Sequence, residues 1–578
     1  MTTEIVKKQP SREEASLDGE GVDVVINGSD LPQVICAASL AGLGYKVLLL
    51  EPSETYGGCT SGPLSAALLF GDLDSATDNK HLKGPVRVVA NGGNRLTELR
   101  SQALANASAF VLELQPRFYF AADAFLDLLV GSGAASYLFF QPVDSLFWLQ
   151  ASSNTVADTV VIDVPCTKAA IARSHDLGLT EKRLLMRCLR SCFVLSSAAT
   201  EYDPHSPAMD ITDEERREMN RRWSAAGDSA TLLQQLEEAF ASAPSDQQWK
   251  RVAALVHDIY AWGIEDMPTA PATWRCSIDR LERFIRSVMR FHAATPFLCC
   301  KYGSNEIIQA FARRCAVKGG ILAMDRSIMA SAACDAEQGP DENGAGFVVE
   351  TNHGERIFCR IGVISPQYDS NIHVDAKLVL RFAGLTSEAL RLGEPGRTNR
   401  AATGHAFFIA RFNEGALAAA SSYSSATLYI WQISSAAGIC MPGYYVVYAE
   451  CDLQRLPRQQ VANTESTASA LHTFRGMLAH VLRCIAPAAC EACDDDVAVL
   501  ESVFAAYAFY EAPAPPFGFS VQTRDGSANV SVPYSYARMD RIPHAIRQIL
   551  EHIVGDDQRA ASSLDVFFGI SPPPEGSS

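Results

Sequence analysis

The sequence predicts an α/β fold of several sheets into which an all-helical domain is inserted, and two observations lead to this prediction. Residues 21–51 contain a β-branched strand, GVDVVIN, an apolar helical stretch at 31–44 and a second strand, KVLLLE. Two strands joined by one helix form a parallel, right-handed βαβ unit. From about residue 117 to 292, apolar residues instead recur every three or four positions, which indicates consecutive helices.

These patterns predict a discontinuous domain organisation. Residues 21–116 and 294–560 form the α/β domain, and residues 117–293 form the helical domain between them. Residues 1–20 are polar, without the apolar core of a secretory signal, and are predicted to be a flexible tail. Residues 561–578 end in SPPPEGSS and are predicted to be a proline-rich tail.

Smaller elements are predicted within both domains. After residue 318 short strands return, with a hairpin at Asn352-His353-Gly354, where glycine supplies the positive φ of the turn. A late amphipathic helix is expected at 542–554. The helices expected in the inserted domain cover 125–130, 181–193, 232–240, 247–260 and 277–291.

The composition indicates a globular protein with an acidic surface. The 578 residues are 48% hydrophobic and 20% charged, which is enough apolar material for a sizeable core. The net charge of −17 argues against nucleic acid or anionic lipid as the main partner. The sequence contains no uninterrupted run of 18 apolar residues, so it predicts no membrane span. The 16 cysteines follow no regular framework, which indicates a reducing, cytosolic environment.

The turn after the first strand departs from a dinucleotide-binding turn, which needs three glycines. Only Gly28 remains in GSDLPQ, and Asp30 and Gln33 stand at the other two positions. The carboxylate of Asp30 would repel a pyrophosphate at the helix N-terminus. Glu51 ends the second strand, where a ribose-binding acid would stand. We interpret these four residues as the remnant of a nucleotide site and expect no bound cofactor; a working FAD or NAD site is the alternative.

Catalytic and metal-binding motifs are absent from the sequence. There is no G-x-S-x-G, no H-E-x-x-H and no Walker loop, and the 12 histidines have no ligand spacing. Cys490 and Cys493 form a C-x-x-C without the second pair that a zinc site requires. We therefore expect no catalytic residue and no bound metal, as in an accessory protein.

The segment SNEIIQAFARRCAVKGG predicts a helix with defined ends. Asn305 is a plausible N-cap, Glu306 suits the first turn, Lys318 lies near the C-terminus and Gly319 can take the C′ position.

Helical spacing then predicts two faces for this helix. Its apolar side carries Ile307, Phe311 and Cys315, whereas Glu306, Gln309 and Arg313 form a polar stripe over two turns. A stripe of this kind is either a solvated surface or a grip for complementary charges on a flat protein partner.

Two short motifs carry a resemblance to a known family. The first is Tyr56-Gly57-Gly58, just beyond Glu51, and the second is TPFL at 295–298 followed by CCKYGSNEIIQAFARRCAVKGGIL. With the altered GSDLPQ turn, these motifs resemble the family of Rab GDP-dissociation inhibitors and Rab escort proteins. The resemblance implies a flavoprotein-like fold that holds no flavin. It also implies a Rab-binding platform at Tyr56, Glu306, Gln309 and Arg313.

Further segments resemble the escort branch of that family. They include the VPC segment at 164–166, Ile321 after the double glycine, CMPGYY at 440–445 and the late AIRQILEHI. The resemblance implies binding of new Rab–GDP, its presentation to the catalytic αβ heterodimer of Rab geranylgeranyltransferase, and delivery of the prenylated Rab to membranes from the cytosol. The alternatives are a Rab GDP-dissociation inhibitor, which recycles prenylated Rab, and an FAD-dependent amine oxidase-like enzyme.

The helical domain carries apolar side chains sufficient to line a cavity. Core packing accounts for most of them, but the resemblance implies that helices here hold the prenyl chains of Rab. The side chains in question are Leu126, Leu128, Leu129, Leu184, Leu185, Leu189 and Phe193.

Overall fold

The structure is a computed structural model that describes most of the chain. The described residues are 17, 21–64, 69–70, 87–92, 101, 110–195, 214, 217–218, 221, 230–239, 246–262, 273–334, 346–367, 378–390, 404–413, 416, 423–455, 464–490, 493, 495–513, 518–523, 526–531, 542–555 and 558–568.

The strands and helices alternate along the chain in several blocks. The strands are β1 Gly21–Asn27, β2 Val47–Glu51, β3 Pro63–Leu64, β4 Arg87–Gly92, β5 Leu112–Glu113, β6 Phe118–Phe120, β7 Phe140–Pro142, β8 Ser145–Ala151, β9 Thr159–Asp163, β10 Phe297–Cys300, β11 Ile321–Met324, β12 Ile328–Cys334, β13 Gly346–Thr351, β14 Arg356–Gln367, β15 Leu378–Thr386, β16 Ala406–Asn413, β17 Tyr423–Ser434, β18 Tyr445–Arg455, β19 Ala506–Pro513, β20 Gly518–Thr523 and β21 Gly526–Ser531. The α-helices are Leu31–Gly42, Gly58–Ser61, Ala124–Gly131, Lys168–Arg173, Leu179–Leu195, Leu232–Ala239, Asp246–Leu255, Trp274–Arg290, Asn305–Val317, Thr464–Ile485, Pro487–Cys490, Asp496–Val503, Ile542–Val554 and Gln558–Phe567.

The first sheet contains the predicted βαβ unit. Its strands lie in the order β11-β2-β1-β14-β13-β12, and β20 and β21 extend it from β14. β1 and β2 are parallel and in register from Val24 opposite Val47, with helix Leu31–Gly42 between them in the chain. β13 and β14 form the predicted hairpin, whose Gly354 has a φ of 76°. These predictions are confirmed.

Alternate residues of β1 enter two different cores, as the twofold period of a strand requires. Val24 and Ile26 pack under helices Leu31–Gly42, Asn305–Val317 and Ile542–Val554. Residues of the opposite face, with Val25 among them, pack against β13 and β14. The helix at 305–317 therefore rests on the same layer as the βαβ helix.

The second large sheet has the order β4-β19-β15-β18-β17-β16-β8-β9. Helices Thr464–Ile485 and Asp496–Val503 cover one of its faces. The other face packs against the three-stranded sheet β6-β10-β7 and against helices of the inserted segment, the four longest of which form one group. Those four helices, called the helical group below, are Leu179–Leu195, Leu232–Ala239, Asp246–Leu255 and Trp274–Arg290.

The inserted segment is less helical than predicted. Four strands, β6 to β9, lie within residues 118–163, and β8 runs parallel to β16 inside the second sheet. Strand β8 contains the continuous apolar run LFWL, and such a run does not distinguish a buried strand from a buried helix. The strict all-helical reading of 117–293 is therefore wrong for its first part; the boundaries of the domains as folding units stay a prediction.

Both predicted tails include ordered residues. Leu17 is buried, and its N–H donates to Glu355 Oε1 at 3.1 Å. Helix Gln558–Phe567 enters the predicted C-terminal tail, and its Leu564 is 1% exposed. A buried apolar side chain can hold a segment against the core even when the neighbouring residues of that segment are polar. The remaining residues of the two tails lie outside the described residues.

Candidate protein-binding site

The turn between β1 and helix Leu31–Gly42 is closed by hydrogen bonds within the chain. The Glu51 carboxylate accepts the N–H of Ser29 at 2.7 Å and the N–H of Ser53 at 2.9 Å, and it accepts both serine hydroxyls. Ser29 Oγ in turn accepts the N–H of Gly57 at 3.1 Å. The oxygens that would hold a ribose are thus engaged by the chain's own serines.

Asp30 lies where a diphosphate would have to approach the helix. The residue is fully buried, and a Cβ added at Gly58 would come within 2.4 Å of Asp30 Oδ1. A buried carboxylate at this point repels a phosphate and leaves it no room. Gln33, at the position of the third glycine, is also fully buried. These residues do not fit a dinucleotide cofactor.

The helix Asn305–Val317, called helix 305–317 below, begins differently from the prediction. Ser304 rather than Asn305 is the N-cap residue, and its side chain makes no capping bond. The N–H of Ser304 instead donates to the carboxylate of Glu113, a residue 191 positions earlier in the chain. The helix ends as predicted, since Gly319 has a φ of 90°. A local motif could not reveal the distant acceptor.

The two predicted faces of helix 305–317 are present. Ile307, Phe311 and Cys315 are buried against the βαβ helix. On the other side Gln309 and Arg313 are exposed. Glu306 is half-buried, and this burial raises the pKa of its carboxyl.

Tyr56 lies beside helix 305–317 although the two are far apart in sequence. The tyrosine follows β2, is half-buried and packs on the core that the helix covers. Burial raises the pKa of the Tyr56 phenol, and the nearby Cys315 thiol and Glu51 carboxyl raise it further. β11 follows the helix and pairs in parallel with β2, so the segments that carry the helix and Tyr56 are joined through neighbouring strands of one sheet.

The Arg313 side chain has an aromatic support that sequence reasoning missed. Its guanidinium carbon lies 4.6 Å from the centre of the Tyr137 ring, in a cation–π arrangement. The adjacent Arg314 is half-buried, and it lies near Gly133, which precedes the turn that contains Tyr137. No signal in the sequence pointed to Tyr137, because residues around it were assigned to a helical domain.

The loop before helix 305–317 presents Tyr302, which is 46% exposed. This residue has a φ of 66°, and its N–H donates to the Ala437 carbonyl at 2.7 Å. Its ring covers Gly438, where a Cβ would come within 2.5 Å of the ring. The Lys301 ammonium lies 5.2 Å from the Tyr302 ring centre. The loop thus places an aromatic and a cation just before Glu306.

The apolar side chains considered for a lipid cavity lie in two different cores. Leu126, Leu128 and Leu129 pack under the first sheet with helix 305–317. Leu184, Leu185 and Leu189 belong to the core between the helical group and the second sheet. The Phe193 side chain lies outside the described residues. Core packing thus accounts for these six side chains, as expected for most of the seven, and the first three belong to the core of the α/β domain because their helix packs there.

Two kinds of feature are absent from the described residues. Nowhere among them do three His, Cys, Asp or Glu side chains converge as a metal site requires. None of the described helices has the length and apolar character needed to cross a bilayer.

Comparisons with known proteins agree with this architecture. A family model described as GDP dissociation inhibitor matches residues 92–381, half of the chain. Rab proteins geranylgeranyltransferase component A of Drosophila melanogaster is 25% identical over 390 residues, which cover 65% of this chain and 67% of that protein. Component A 1 of Caenorhabditis elegans is 26% identical over 377 residues, covering 60% and 66%.

An inhibitor and a solved structure are similar as well. A guanosine nucleotide diphosphate dissociation inhibitor of Arabidopsis thaliana is 24% identical over 350 residues, covering 60% of this chain and 64% of that protein. The matches thus span about two thirds of the relatives' own lengths, from 64% to 67%. The crystal structure of a Rab GDI from Plasmodium falciparum superposes with a TM-score of 0.57 at 16% identity, over 93% of this chain and 99% of that one.

Proposed function

Because the chain belongs to the GDP dissociation inhibitor family, we propose that it binds Rab GTPases in their GDP-bound form. The binding surface consists of Tyr56 and the exposed side of helix 305–317, with Glu306, Gln309 and Arg313. The observation that carries the proposal is the position of Tyr56 beside this helix, next to Cys315. It brings the two separate sequence motifs next to each other in the fold.

The chemistry of this surface suits a polar protein partner. The exposed Arg313 guanidinium can donate two parallel hydrogen bonds to a carboxylate, and its stacking on Tyr137 limits the orientations that binding would have to freeze. Glu306 is already half-buried, so a partner removes less water from it than from a fully exposed carboxylate. Arginine and tyrosine are the residue types that most often dominate the binding energy of an interface.

We further propose that the chain acts as an escort protein. It presents the flexible C-terminus of Rab–GDP to the catalytic αβ heterodimer of Rab geranylgeranyltransferase, and it carries the prenylated Rab from the cytosol to membranes. The chain itself makes and breaks no covalent bond, since the partner enzyme transfers the lipid. The names of the Drosophila and Caenorhabditis relatives support this assignment.

The lipid is held by the helical group in this proposal. Leu184 and Leu185 are no more than 5% exposed between the helices and the second sheet. The helices therefore have to separate before a prenyl chain can enter. Each buried CH₂ would contribute about 0.8 kcal/mol, so even partial burial competes with a membrane.

Two alternatives predict different behaviour. A GDP-dissociation inhibitor would extract prenylated Rab from membranes but would not support lipid transfer; the similar Arabidopsis inhibitor keeps this alternative open. A flavin-dependent oxidase would retain FAD, which the buried carboxylate of Asp30 disfavours. A flavin absorption band at one equivalent per purified chain would overturn the proposal in favour of the oxidase.

The Rab-binding proposal is tested by nucleotide preference. Labelled Rab is prepared in its GDP-bound form and in its GTP-bound form, and each is titrated with the chain. The proposal expects binding at least tenfold tighter for the GDP form, a difference of about 1.4 kcal/mol. Equal affinity for both forms, or no binding, would contradict it.

A further inference from the structure

The loop at 301–304, which leads into helix 305–317, is held by three hydrogen bonds from separate parts of the fold. The Lys301 N–H donates to the Phe139 carbonyl at 2.8 Å, and the Tyr302 N–H donates to the Ala437 carbonyl at 2.7 Å. The Ser304 N–H donates to the Glu113 carboxylate. Of these three acceptors, two are backbone carbonyls, and Glu113 alone is a side chain that can gain or lose a proton.

Glu113 is itself fixed by the second sheet. Its backbone N–H donates to the Tyr448 hydroxyl at 3.0 Å. The Tyr510 hydroxyl donates to the Leu114 carbonyl at 3.3 Å, on the next residue. Glu113 also pairs with Pro63 in the small sheet β3-β5. The carboxylate therefore has a rigid base from which it can hold the loop.

The fit between the loop and the Glu113 carboxylate is close. Gly303 has a φ of 100°, and a Cβ there would lie 3.0 Å from Glu113 Oε1. Any side chain at 303 would thus push the carboxylate away from Ser304. The same carboxylate stands at the positive end of the helix dipole, where a negative charge is stabilising. It replaces the side-chain cap that Ser304 does not provide.

We propose that Glu113 is a positioning residue for Rab recognition: its buried carboxylate sets the start of helix 305–317 and so fixes Glu306 and Arg313 for the partner. This inference rests on the proposed function. It assigns a role to a residue that no motif identifies and that does not itself touch the binding surface, since Glu113 is 6% exposed.

The protonation of Glu113 supplies a second, independent readout. Burial raises the pKa of this carboxyl to about 7, against the opposing effects of the Ser304 bond and of Arg117. The other titratable groups that face it are the hydroxyls of Tyr119, Tyr448 and Tyr510 and the thiols of Cys299 and Cys300. Burial raises the pKa of each of these, so they stay neutral while Glu113 titrates. An ionised carboxylate holds an N–H more strongly than a neutral carboxyl.

The test compares Glu113→Gln, Glu113→Met and the parent chain. Glutamine keeps an acceptor for the Ser304 N–H but cannot ionise, whereas methionine has similar volume and leaves that N–H unpaired. Glu511→Gln is the matched control, because Glu511 is a buried carboxylate on β19 paired with Arg87 rather than with the loop. Rab–GDP affinity is measured at pH 6, 7 and 8, and hydrogen exchange of residues 300–317 is measured without Rab.

We expect Glu113→Met to weaken Rab–GDP binding about tenfold and to speed exchange in the first turn of the helix. The parent should bind more tightly as the pH rises through about 7, and Glu113→Gln should lose that dependence while Glu511→Gln keeps it. If Glu113→Met does not fold, the pH dependence of Rab–GDP affinity in Glu113→Gln, Glu511→Gln and the parent still tests the inference. A parent-like pH profile for Glu113→Gln, or unchanged exchange in Glu113→Met, would overturn the inference.

The two hypotheses fail in different ways. If Rab–GDP binding by the parent is absent, the proposed function fails. The exchange measurement contains no Rab, and so it still decides whether Glu113 holds the start of the helix.

Discussion

Replacing Arg313 by alanine removes an exposed guanidinium from helix 305–317 and leaves the buried side of the helix intact. Among the described residues, the interaction that this change removes is the stacking on Tyr137. An exposed cation–π contact contributes about 0.5–1 kcal/mol, and arginine and alanine have similar helix propensities. We therefore expect Arg313→Ala to lower the free energy of unfolding by at most about 1 kcal/mol and the melting temperature by no more than about 4 °C.

The expected effect on binding is larger than the effect on stability. Truncating an interfacial arginine that anchors a partner costs about 2 kcal/mol or more, which is more than tenfold in affinity. Binding is measured by titrating labelled Rab–GDP, and stability by thermal unfolding of the same preparation. A variant that melts normally and binds as tightly as the parent would show that this helix face is merely solvated.

Arg314→Ala is the matched control for charge. Arg314 is the next residue of the same helix, so the two variants undergo the same change in net charge. Its guanidinium is half-buried near Gly133 rather than exposed. We expect Arg314→Ala to bind Rab–GDP within about threefold of the parent, a difference of under 0.7 kcal/mol on the scale of about 1.4 kcal/mol per tenfold. An equal loss in both variants would indicate a general charge effect instead of a contact made by Arg313.

Three further changes test separate parts of the structure. Tyr137→Leu removes the ring beneath the guanidinium and should weaken Rab–GDP binding about two- to fivefold, less than the arginine truncation does. Gly320→Ala should destabilise the fold by about 1–3 kcal/mol in thermal unfolding, because the added Cβ would lie 2.2 Å from a buried thiol sulfur. Gly42→Ala is the control, because a Cβ at that position would have no atom within 4 Å, and we expect no such loss. Glu355 is buried and bonded to Arg326 at 3.0 Å; its burial favours the neutral acid, but its hydrogen bonds outweigh this and lower the pKa below the ordinary 4.5. The pair therefore stabilises the fold fully above about pH 4.5, and this stabilisation is lost as the pH falls below that value. Glu355→Gln should unfold more easily at pH 7 than the parent. In denaturant titrations at several pH values, its stability should depend less on acid than that of the parent.

Local patterns were sufficient to predict the elements nearest the site. The βαβ unit followed from two β-branched strands and an apolar helix, and β1, Gly21–Asn27, has the predicted bounds. The apolar spacing in helix 305–317 placed its buried side correctly, and the late helix Ile542–Val554 also matches. In each case the residues that decide the structure lie within a few turns of one another.

Features that depend on distant residues were not predictable. The bond from Ser304 to Glu113 joins residues 191 positions apart, and no spacing rule connects them. The stacking of Arg313 on Tyr137 depends on where the segment around Tyr137 packs. The strands β8 and β9 were missed for the same reason, because their apolar residues are read as strands only once β16 is placed beside them. The sequence thus predicted the two sides of the helix but not the distant contacts that support it.

Reconstituted lipid transfer tests the central claim most directly. The catalytic αβ heterodimer, unprenylated Rab–GDP and geranylgeranyl diphosphate are combined with and without the chain, and lipid incorporation into Rab is measured. The escort proposal predicts transfer that depends on added chain and that falls with Arg313→Ala in parallel with the loss of Rab–GDP affinity. Tight binding of Rab–GDP without any stimulation of transfer would contradict it and would assign the chain to the inhibitors.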